Sequence, residues 1–393
     1  MSDWFEVGAQ SSSAKSAAPS DQDEPVICLC IELQSGLEAL FHLLRAKFED
    51  DGYDPRLLPI FPASSSTSPE SGAEPSPHPS LIPTDLALSV VDTRIYFDDL
   101  TSPGSLHGFR RLPHTCSPNI DALYPIICAA THWYYHLRHQ PADAKRNLTR
   151  TSIGEGSGKV TLEMVVLEAG EGHDRSLMPL LFPVKSVEVS VNGGTDSSGG
   201  SPGKEKSLED DTYDPETAGT YNCFPFMEVE ADELTLYGQK IVNNSEYALY
   251  PALFHFDNSE FSIAEYYLPP TAAYTSSPDP PLIANGLTIG YGTSDLSPHV
   301  YFLLLNEDLD IGYLKLILTT KYVDLSHIEQ TSPFEGANAA RLAPLNSGTR
   351  GGDPRHLVGR EERRRLKSSF WDEITYVLVQ RRPVDGSRPT LWR

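Results

Sequence analysis

The sequence predicts an α+β protein in which a small α/β unit is followed by an antiparallel β-sandwich, with a disordered N-terminus and long polar inserts. Amphipathic helices occur only in the first part of the chain, near residues 37–48 and 120–139. Short segments rich in Val, Ile, Leu, Tyr and Phe then recur every ~8–15 residues, as in an antiparallel sandwich or barrel. Hydrophobic residues make up only 39% of the 393 residues, because Ser-, Pro-, Gly- and Asp-rich stretches separate these segments.

The small α/β unit is predicted over residues 26–140. In both helices the apolar residues recur at spacings of three and four, which is one face of a helix. Ser35 is the predicted N-cap of the first helix and Asn119 that of the second, because their side chains can accept bonds from the first turn. The strands of this unit are predicted at Val26–Leu33, Leu86–Val91 and Thr93–Phe97.

The β-sandwich is predicted over residues 155–382. Turn residues such as Asn, Asp and Gly separate most of its strands. The strands are predicted at Val160–Leu167, Phe226–Val229, Leu236–Asn243, Leu249–Phe256, Ser262–Leu268, Leu287–Tyr291, His299–Leu305, Gly312–Tyr322 and Glu373–Gln380.

Segments of low apolar content are predicted to lie outside these two units. Their composition cannot bury enough apolar surface to offset the entropy of ordering, and prolines interrupt several of them. They are the disordered residues 1–25, the inserts 62–83, 192–218 and 331–369, and the tail 383–393.

The formal net charge of −23 excludes a nucleic-acid partner for most of the protein, because phosphates would be repelled. Residues 350–393 differ, with 11 Lys+Arg against 6 Asp+Glu, a net of +5. The basic run Arg360–Lys367 in this tail could bind an acidic partner or membrane phosphates, or could dock on the acidic body of the same chain.

The sequence predicts an intracellular, cytoplasmic protein without a membrane span. The five cysteines are odd in number and irregularly spaced, so they predict no disulfide framework. The N-terminal residues are polar, with no apolar run of signal-peptide length, and no segment approaches the ~18 apolar residues of a transmembrane helix.

No segment predicts catalysis, a cofactor or a metal. Cys116 follows His114 by two residues, whereas the members of a Cys–His dyad are normally distant in sequence. Cys128, His132 and His136 share one edge of the second helix, but no fourth zinc ligand is evident, which favours a polar, partly exposed helix face. The acidic loop before Ile311 could hold calcium, although a solvated hairpin turn is the favoured interpretation.

A candidate partner surface combines aromatic and basic residues. Exposed tyrosines could grip a protein or stack on sugars, whereas tyrosines on strands more often belong to the core and to cross-strand pairs. The candidate residues are Tyr247, Tyr250, Tyr266, Tyr267, Arg363, Arg364 and Arg365.

Several segments of the β region give the chain a resemblance to a known family. With the upstream stretches Ile120–Pro125 and Trp133–Leu137, they resemble the region that follows the protease domain in fungal caspase-like proteins. The resemblance extends over residues 26–382, is strong between 236 and 330, and is most specific at Gly312–Ile328. The segments are Leu236–Ser245, Leu249–Asp257, Ser262–Pro270, Leu287–Gly292, Gly312–Ile328, Ser332–Phe334 and Trp371–Arg382.

This resemblance implies an accessory β-sandwich rather than an enzyme. The family's catalytic contexts, His-Ser-Gly-His-Gly and Asp-Ser-Cys-His-Ser-Gly, do not occur in the sequence. A similar domain downstream of bacterial caspase-like peptidases looks like a sensor or protein-contact module. We therefore expect a non-catalytic interaction or regulatory module whose partner is a protein, such as a caspase-like or signalling protein. The alternatives are a truncated or diverged cysteine peptidase and a lectin-like or lipid-docking β-sandwich.

Overall fold

A computed structural model confirms the predicted α+β fold with sandwich-like sheets. It describes residues 29–51, 56–60, 84–141, 160–173, 177, 179–190, 224–270, 282, 286–304, 307–334 and 371–383. The predicted disordered N-terminus, the inserts at 62–83 and 192–218, and nearly all of the third insert and the tail lie outside the described residues.

A five-stranded mixed sheet occupies the N-terminal part, in the order β2-β1-β3-β4-β5. Strand β1 is parallel to both of its neighbours, whereas the β3–β4 and β4–β5 pairs are antiparallel. Its elements are β1 Cys30–Gln34, α1 Glu38–Asp51, β2 Arg56–Ile60, β3 Leu86–Val91, β4 Arg94–Asp99, α2 Ser102–His107, β5 Arg111–Cys116 and α3 Ile120–Arg138.

The predicted N-cap of α3 is confirmed and that of α1 is wrong. The Asn119 side chain accepts a bond of 2.9 Å from Ala122 N, as an N-cap does. Ser35 instead lies in a turn three residues before α1 begins. The carboxylate of Glu38, the first residue of α1, accepts a hydrogen bond of 2.9 Å from Gly36 N. An acidic residue of the first turn therefore binds the backbone that precedes the helix.

The remaining strands form a four-stranded sheet, ordered β13-β10-β6-β7, and a six-stranded sheet, ordered β12-β11-β14-β15-β9-β8. All of the pairs are antiparallel except β9 with β15. The strands are β6 Val160–His173, β7 Pro179–Ser186, β8 Val189–Ser190, β9 Phe226–Glu230, β10 Leu236–Asn243, β11 Tyr250–Asp257, β12 Ser262–Tyr267, β13 Leu287–Ile289, β14 Leu309–Thr319 and β15 Trp371–Arg381.

One predicted strand, His299–Leu305, is wrong. Among its described residues, only His299 forms a ladder bridge, with Tyr237 of β10. Alternate residues still face the core, since Tyr301 is buried whereas Val300 and Phe302 are exposed. The alternation of buried and exposed side chains therefore led to a strand prediction for a segment that is not hydrogen-bonded along its length to a neighbouring strand.

The six-stranded sheet is buried on both faces. On β14, Tyr313 and Ile317 belong to a core cluster that also contains α3 and the five-stranded sheet. Leu314 and Leu316 point the opposite way, into a second cluster shared with the four-stranded sheet. A strand covered on both sides reads as a nearly continuous apolar run, which explains why Lys315 is the only charged residue between Ile311 and Leu318 of β14.

Helix α3 joins the N-terminal part to the sandwich. The Trp133 ring, which is fully buried, lies edge-on to Phe256, Phe261 and Tyr313 with centroid distances of 5.8, 5.9 and 5.7 Å. Residues 331–334, which the sequence assigned to an insert, also pack here, and Phe334 is partly buried against this core. The two predicted units therefore share one hydrophobic core.

Candidate interaction surface

The β6–β7 hairpin extends beyond the core of the sandwich. The first eight residues of β6 are mostly buried, whereas its last six are all exposed, and most of β7 is exposed. Gly170 allows the hairpin to close tightly, because a Cβ there would come within 2.5 Å of the Phe182 ring. The Phe182 ring thus lies directly over the backbone of the paired strand.

Strand β7 is an edge strand that displays apolar side chains. Among the described residues it pairs only with β6, and it ends the order of the four-stranded sheet. Phe182 and Val184 are 47% and 52% exposed, and Val189 on β8 is exposed beside them in sequence. We refer to Phe182, Val184 and Val189 as the edge surface. They lie on strands that end the four-stranded and six-stranded sheets, and exposed apolar side chains on an edge strand favour partner binding.

Charges around the edge surface are mainly acidic. Glu168 and Glu171 on β6 and Glu188 after β7 are exposed, against one exposed lysine on β7, Lys185. Like charges near an exposed strand repel a second acidic chain and favour a basic one. The surface therefore combines an apolar contact area with an acidic surround.

The structure does not bring the predicted partner-surface tyrosines together in solvent. Tyr247 is exposed, Tyr266 and Tyr267 are half-buried, and Tyr250 is only 8% exposed, so its assignment to a surface is wrong. Tyr250 lies on a strand that is buried along nearly its whole length, which is the core role that strand position favours. Arg363, Arg364 and Arg365 lie outside the described residues.

Tyr266 is held by stacking rather than presented to a partner. Its ring stacks on His299 with a centroid distance of 3.6 Å and on His255 at 5.3 Å. Burial raises the Tyr266 pKa and lowers that of His255 to about 3 and that of His299 to about 4. Both imidazoles are neutral at physiological pH, so the stack behaves as part of the core.

The surroundings of the Cys116 and Cys128 thiols suppress their ionisation. Burial raises the pKa of Cys116 to about 11 and that of Cys128 to about 11. His114, the nearest histidine in sequence to Cys116, is bound to Glu260 with an Nε2–Oε1 distance of 2.6 Å. The thiolate is the nucleophilic form of cysteine, so neither thiol is activated.

The polar helix face predicted around Cys128, His132 and His136 is only partly right. Cys128 and His132 are half-buried, but His136 is buried, because the segment around Ile328 covers this side of α3. His132 Nε2 lies 3.2 Å from the carbonyl oxygen of Ile328. No group of three His, Cys, Asp or Glu residues in the described part of the chain is arranged to hold a metal ion.

The acidic loop turns one carboxylate inward instead of forming an open cup. Asp310 Oδ1 accepts bonds from Ser259 Oγ at 2.6 Å and from Ile311 N at 2.8 Å. Burial, and then the neighbouring Asp257, raise the Asp310 pKa well above its ordinary value. The calcium alternative required clustered carboxylates, and among the described residues no three acidic, His or Cys side chains are grouped to hold a metal ion.

The edge surface was not among the residues singled out in the sequence. In the sequence, this surface corresponds to the segment Pro179–Ser186, whose apolar residues do not alternate with polar ones as those of a half-buried strand do.

Over the residues that the structure covers, none of the helices has the length and apolarity needed to cross a membrane. Comparisons of the chain with protein-family models, with curated proteins and with solved structures each gave no match.

Proposed function

We propose that this chain is a non-catalytic protein-interaction or regulatory module, of the kind found as the accessory region of caspase-like proteins. The observation that carries the proposal is the exposed apolar edge strand β7, with Phe182 and Val184 in solvent. An unpaired strand edge offers backbone donors and acceptors to a partner, and exposed apolar side chains supply contact area.

The partner best suited to this surface is an extended protein segment that adds as a strand beside β7. Pro179 and Pro183 lack an N–H, so β7 has two fewer donors and the side chains of the edge surface must supply part of the affinity. The exposed Glu168, Glu171 and Glu188 favour a segment that carries Lys or Arg beside its apolar residues. Caspase-like or signalling proteins are the partner classes that the sequence resemblance suggests.

The state of the cysteines supports a non-catalytic role. With a pKa of about 11, the Cys116 and Cys128 thiols are about one ten-thousandth ionised at neutral pH. Activated cysteine nucleophiles have a lowered pKa instead. We therefore expect no labelling of either residue by an electrophilic probe that reacts with activated thiols.

The test is affinity capture of the tagged chain from its native cytosol, with quantitative mass spectrometry and the thiol probe applied to the same sample. The edge variant is Phe182→Glu combined with Val184→Lys. The matched control is Leu43→Glu on α1, which is 53% exposed and changes a similar apolar side chain far from β7 in sequence.

The proposal predicts a partner that is enriched by the wild-type chain and by Leu43→Glu but lost with the edge variant. A synthetic peptide from that partner should bind the purified chain and show the same pattern. Partners retained by the edge variant would refute the assignment of the edge surface. Probe labelling of Cys116 or Cys128 that is abolished by substitution to Ala would refute the non-catalytic role.

A further inference from the structure

A second group of exposed apolar side chains lies between β13 and β14. Val300, Phe302 and Leu304 are exposed, and Phe302 is the most exposed of the three, at 61%. Between them, Tyr301 is buried in the core cluster of the sandwich and Leu303 packs partly buried against it. The alternation therefore turns three apolar side chains toward solvent. We refer to Val300, Phe302 and Leu304 as the 300–304 surface.

Hydrogen bonds fix this segment beside β10. His299 and Tyr237 exchange two backbone bonds, of 2.9 and 2.8 Å, and the Tyr301 carbonyl accepts a bond of 3.2 Å from Glu233 N. The other side of β10 is paired with β6 along its whole length, so the segment lies on the side of β10 that also holds the short strand β13. The 300–304 surface is therefore at the opposite edge of the four-stranded sheet from β7.

The backbone of this segment has donors and acceptors that are not used within the described part of the chain. In an antiparallel pair, the residue after a bonded pair directs its N–H and C=O away from the partner strand. Val300 follows the bonded residue His299, and neither Val300 nor Phe302 forms a hydrogen bond with any residue that the structure describes. An open edge of this kind can accept a further strand.

Uncompensated acidic side chains accompany the 300–304 surface. Glu233 is bonded to this segment through its backbone N–H, and Glu307 N bonds to the Leu304 carbonyl at 3.0 Å. Neither carboxylate forms an ion pair with a described residue, and the neighbouring Arg382 is already paired with Asp308 at 3.0 Å. A cationic partner therefore gains attraction here, whereas an acidic partner is repelled.

We propose that the 300–304 surface binds an extended segment of a partner protein that carries apolar side chains at alternate positions and a flanking Lys or Arg. Alternate side chains of an added strand point to one face, so its apolar residues would lie against Phe302. The flanking cation would meet Glu233 and Glu307. Charge argues against a second copy as the occupant, because each chain has a formal net charge of −23. The proposal does not rest on the edge surface, which shares no residue with this one.

The experiment selects ligands by their chemistry. A phage-displayed library of short random peptides is panned on the full chain near neutral pH, and the enriched peptides are synthesised. Calorimetry then measures their affinity, and hydrogen exchange of the full chain with and without peptide locates the contact. The variant is Phe302→Glu, and the controls are Leu43→Glu on α1 and the edge variant of β7.

The proposal predicts enriched peptides with alternating apolar residues and a Lys or Arg, whose binding slows exchange of the Val300 and Phe302 amides. Phe302→Glu should weaken binding at least about tenfold, as loss of an aromatic anchor does, and both controls should keep the wild-type affinity. Added salt should weaken binding because the charges are exposed. Glu233→Gln combined with Glu307→Gln should remove most of that salt dependence.

Failure to enrich any peptide, an acidic consensus, or affinity that Phe302→Glu leaves unchanged would overturn the proposal. Slow exchange of the Val300 and Phe302 amides without peptide would also overturn it, by assigning the surface to another part of this chain, or to a second copy if the protection depends on concentration. Peptides lost only with the edge variant would place binding at β7 and refute the 300–304 surface alone. The exchange map of the wild-type chain needs no variant, so it locates the contact even if Phe302→Glu does not fold.

Discussion

Replacing Lys315 with Met should destabilise the protein strongly, because this lysine completes the C-terminal end of α3. Its side chain is 1% exposed on the central strand β14. The ammonium nitrogen donates to three backbone carbonyls, those of His136 at 3.0 Å, Leu137 at 2.8 Å and His139 at 2.7 Å. The last carbonyls of a helix have no partner within the helix, so a cation here satisfies them and the negative end of the helix dipole.

The expected loss in unfolding free energy is about 4 kcal/mol. Removing one member of a buried ion pair costs roughly 3–5 kcal/mol, and Glu373 lies 3.6 Å from Lys315 Nζ. Each buried carbonyl left without a donor costs about 1–3 kcal/mol, but the groups share one cation, so these losses overlap rather than add. Methionine keeps most of the side-chain volume and limits any cavity contribution.

The assay is urea unfolding followed by tryptophan fluorescence, since Trp133 is buried beside this region. The matched control is Lys240→Met, a half-buried strand lysine 3.8 Å from Glu163 in a solvent-accessible pair, which should cost less than about 1 kcal/mol. Adding Glu373→Gln to Lys315→Met should recover part of the loss by removing the uncompensated charge. If Lys315→Met unfolds within about 1 kcal/mol of the wild type, the helix-end role of Lys315 is refuted.

Three further predictions concern other parts of the fold. The pKa of Asp257 is raised from 3.8 to about 6 by burial, and that of Asp310 is raised beside it, so ionisation of this pair costs the folded state. Stability from Asp257 is therefore lost as pH rises from about 4 through about 6. Asp310→Asn removes the neighbouring charge, so it should stabilise the protein at pH 8 but not at pH 4, in denaturation at both pH values. Asn119→Ala should cost about 1 kcal/mol in thermal unfolding, whereas a loss below a few tenths would deny its capping role. Gly238→Ala should destabilise, because the new Cβ would come within 2.5 Å of the Tyr291 ring, and adding Tyr291→Ala should relieve the clash.

The sequence predicted the buried strands and two of the edge strands, β12 and β13, but it missed the edge strands β2, β5, β7 and β8. Strands β10, β11 and β14 have long apolar segments bounded by turn residues, so their composition indicates a strand directly. Strands β2, β5 and β7 each end a sheet and contain a proline, Pro59, Pro113 and Pro183 respectively. Proline makes a sequence look less like a strand because it cannot donate a backbone hydrogen bond. It is tolerated in an edge strand, because a backbone N–H on the open side would have no neighbouring strand to bond.

The burial of His136 could not be predicted from helix periodicity alone. An amphipathic pattern assumes that a helix packs on one side, and His136 lies away from the main apolar stripe of α3. In the fold, the turn at Ser326–Ile328 covers that second side, nearly two hundred residues later in the chain. The Lys315 contacts depend on the same long-range packing, so they too became visible only in the structure.

The position of α3 limits how this protein could have been assembled from parts. A sandwich expressed or inherited without the helix would present Phe256, Phe261 and Tyr313 to water, with the Lys315 ammonium left without its carbonyl acceptors. Conversely, the N-terminal sheet alone would leave Trp133 uncovered. Gene fusion or recombination would therefore preserve a folded product only where its breakpoints leave the residues from α3 to β15 together on one chain.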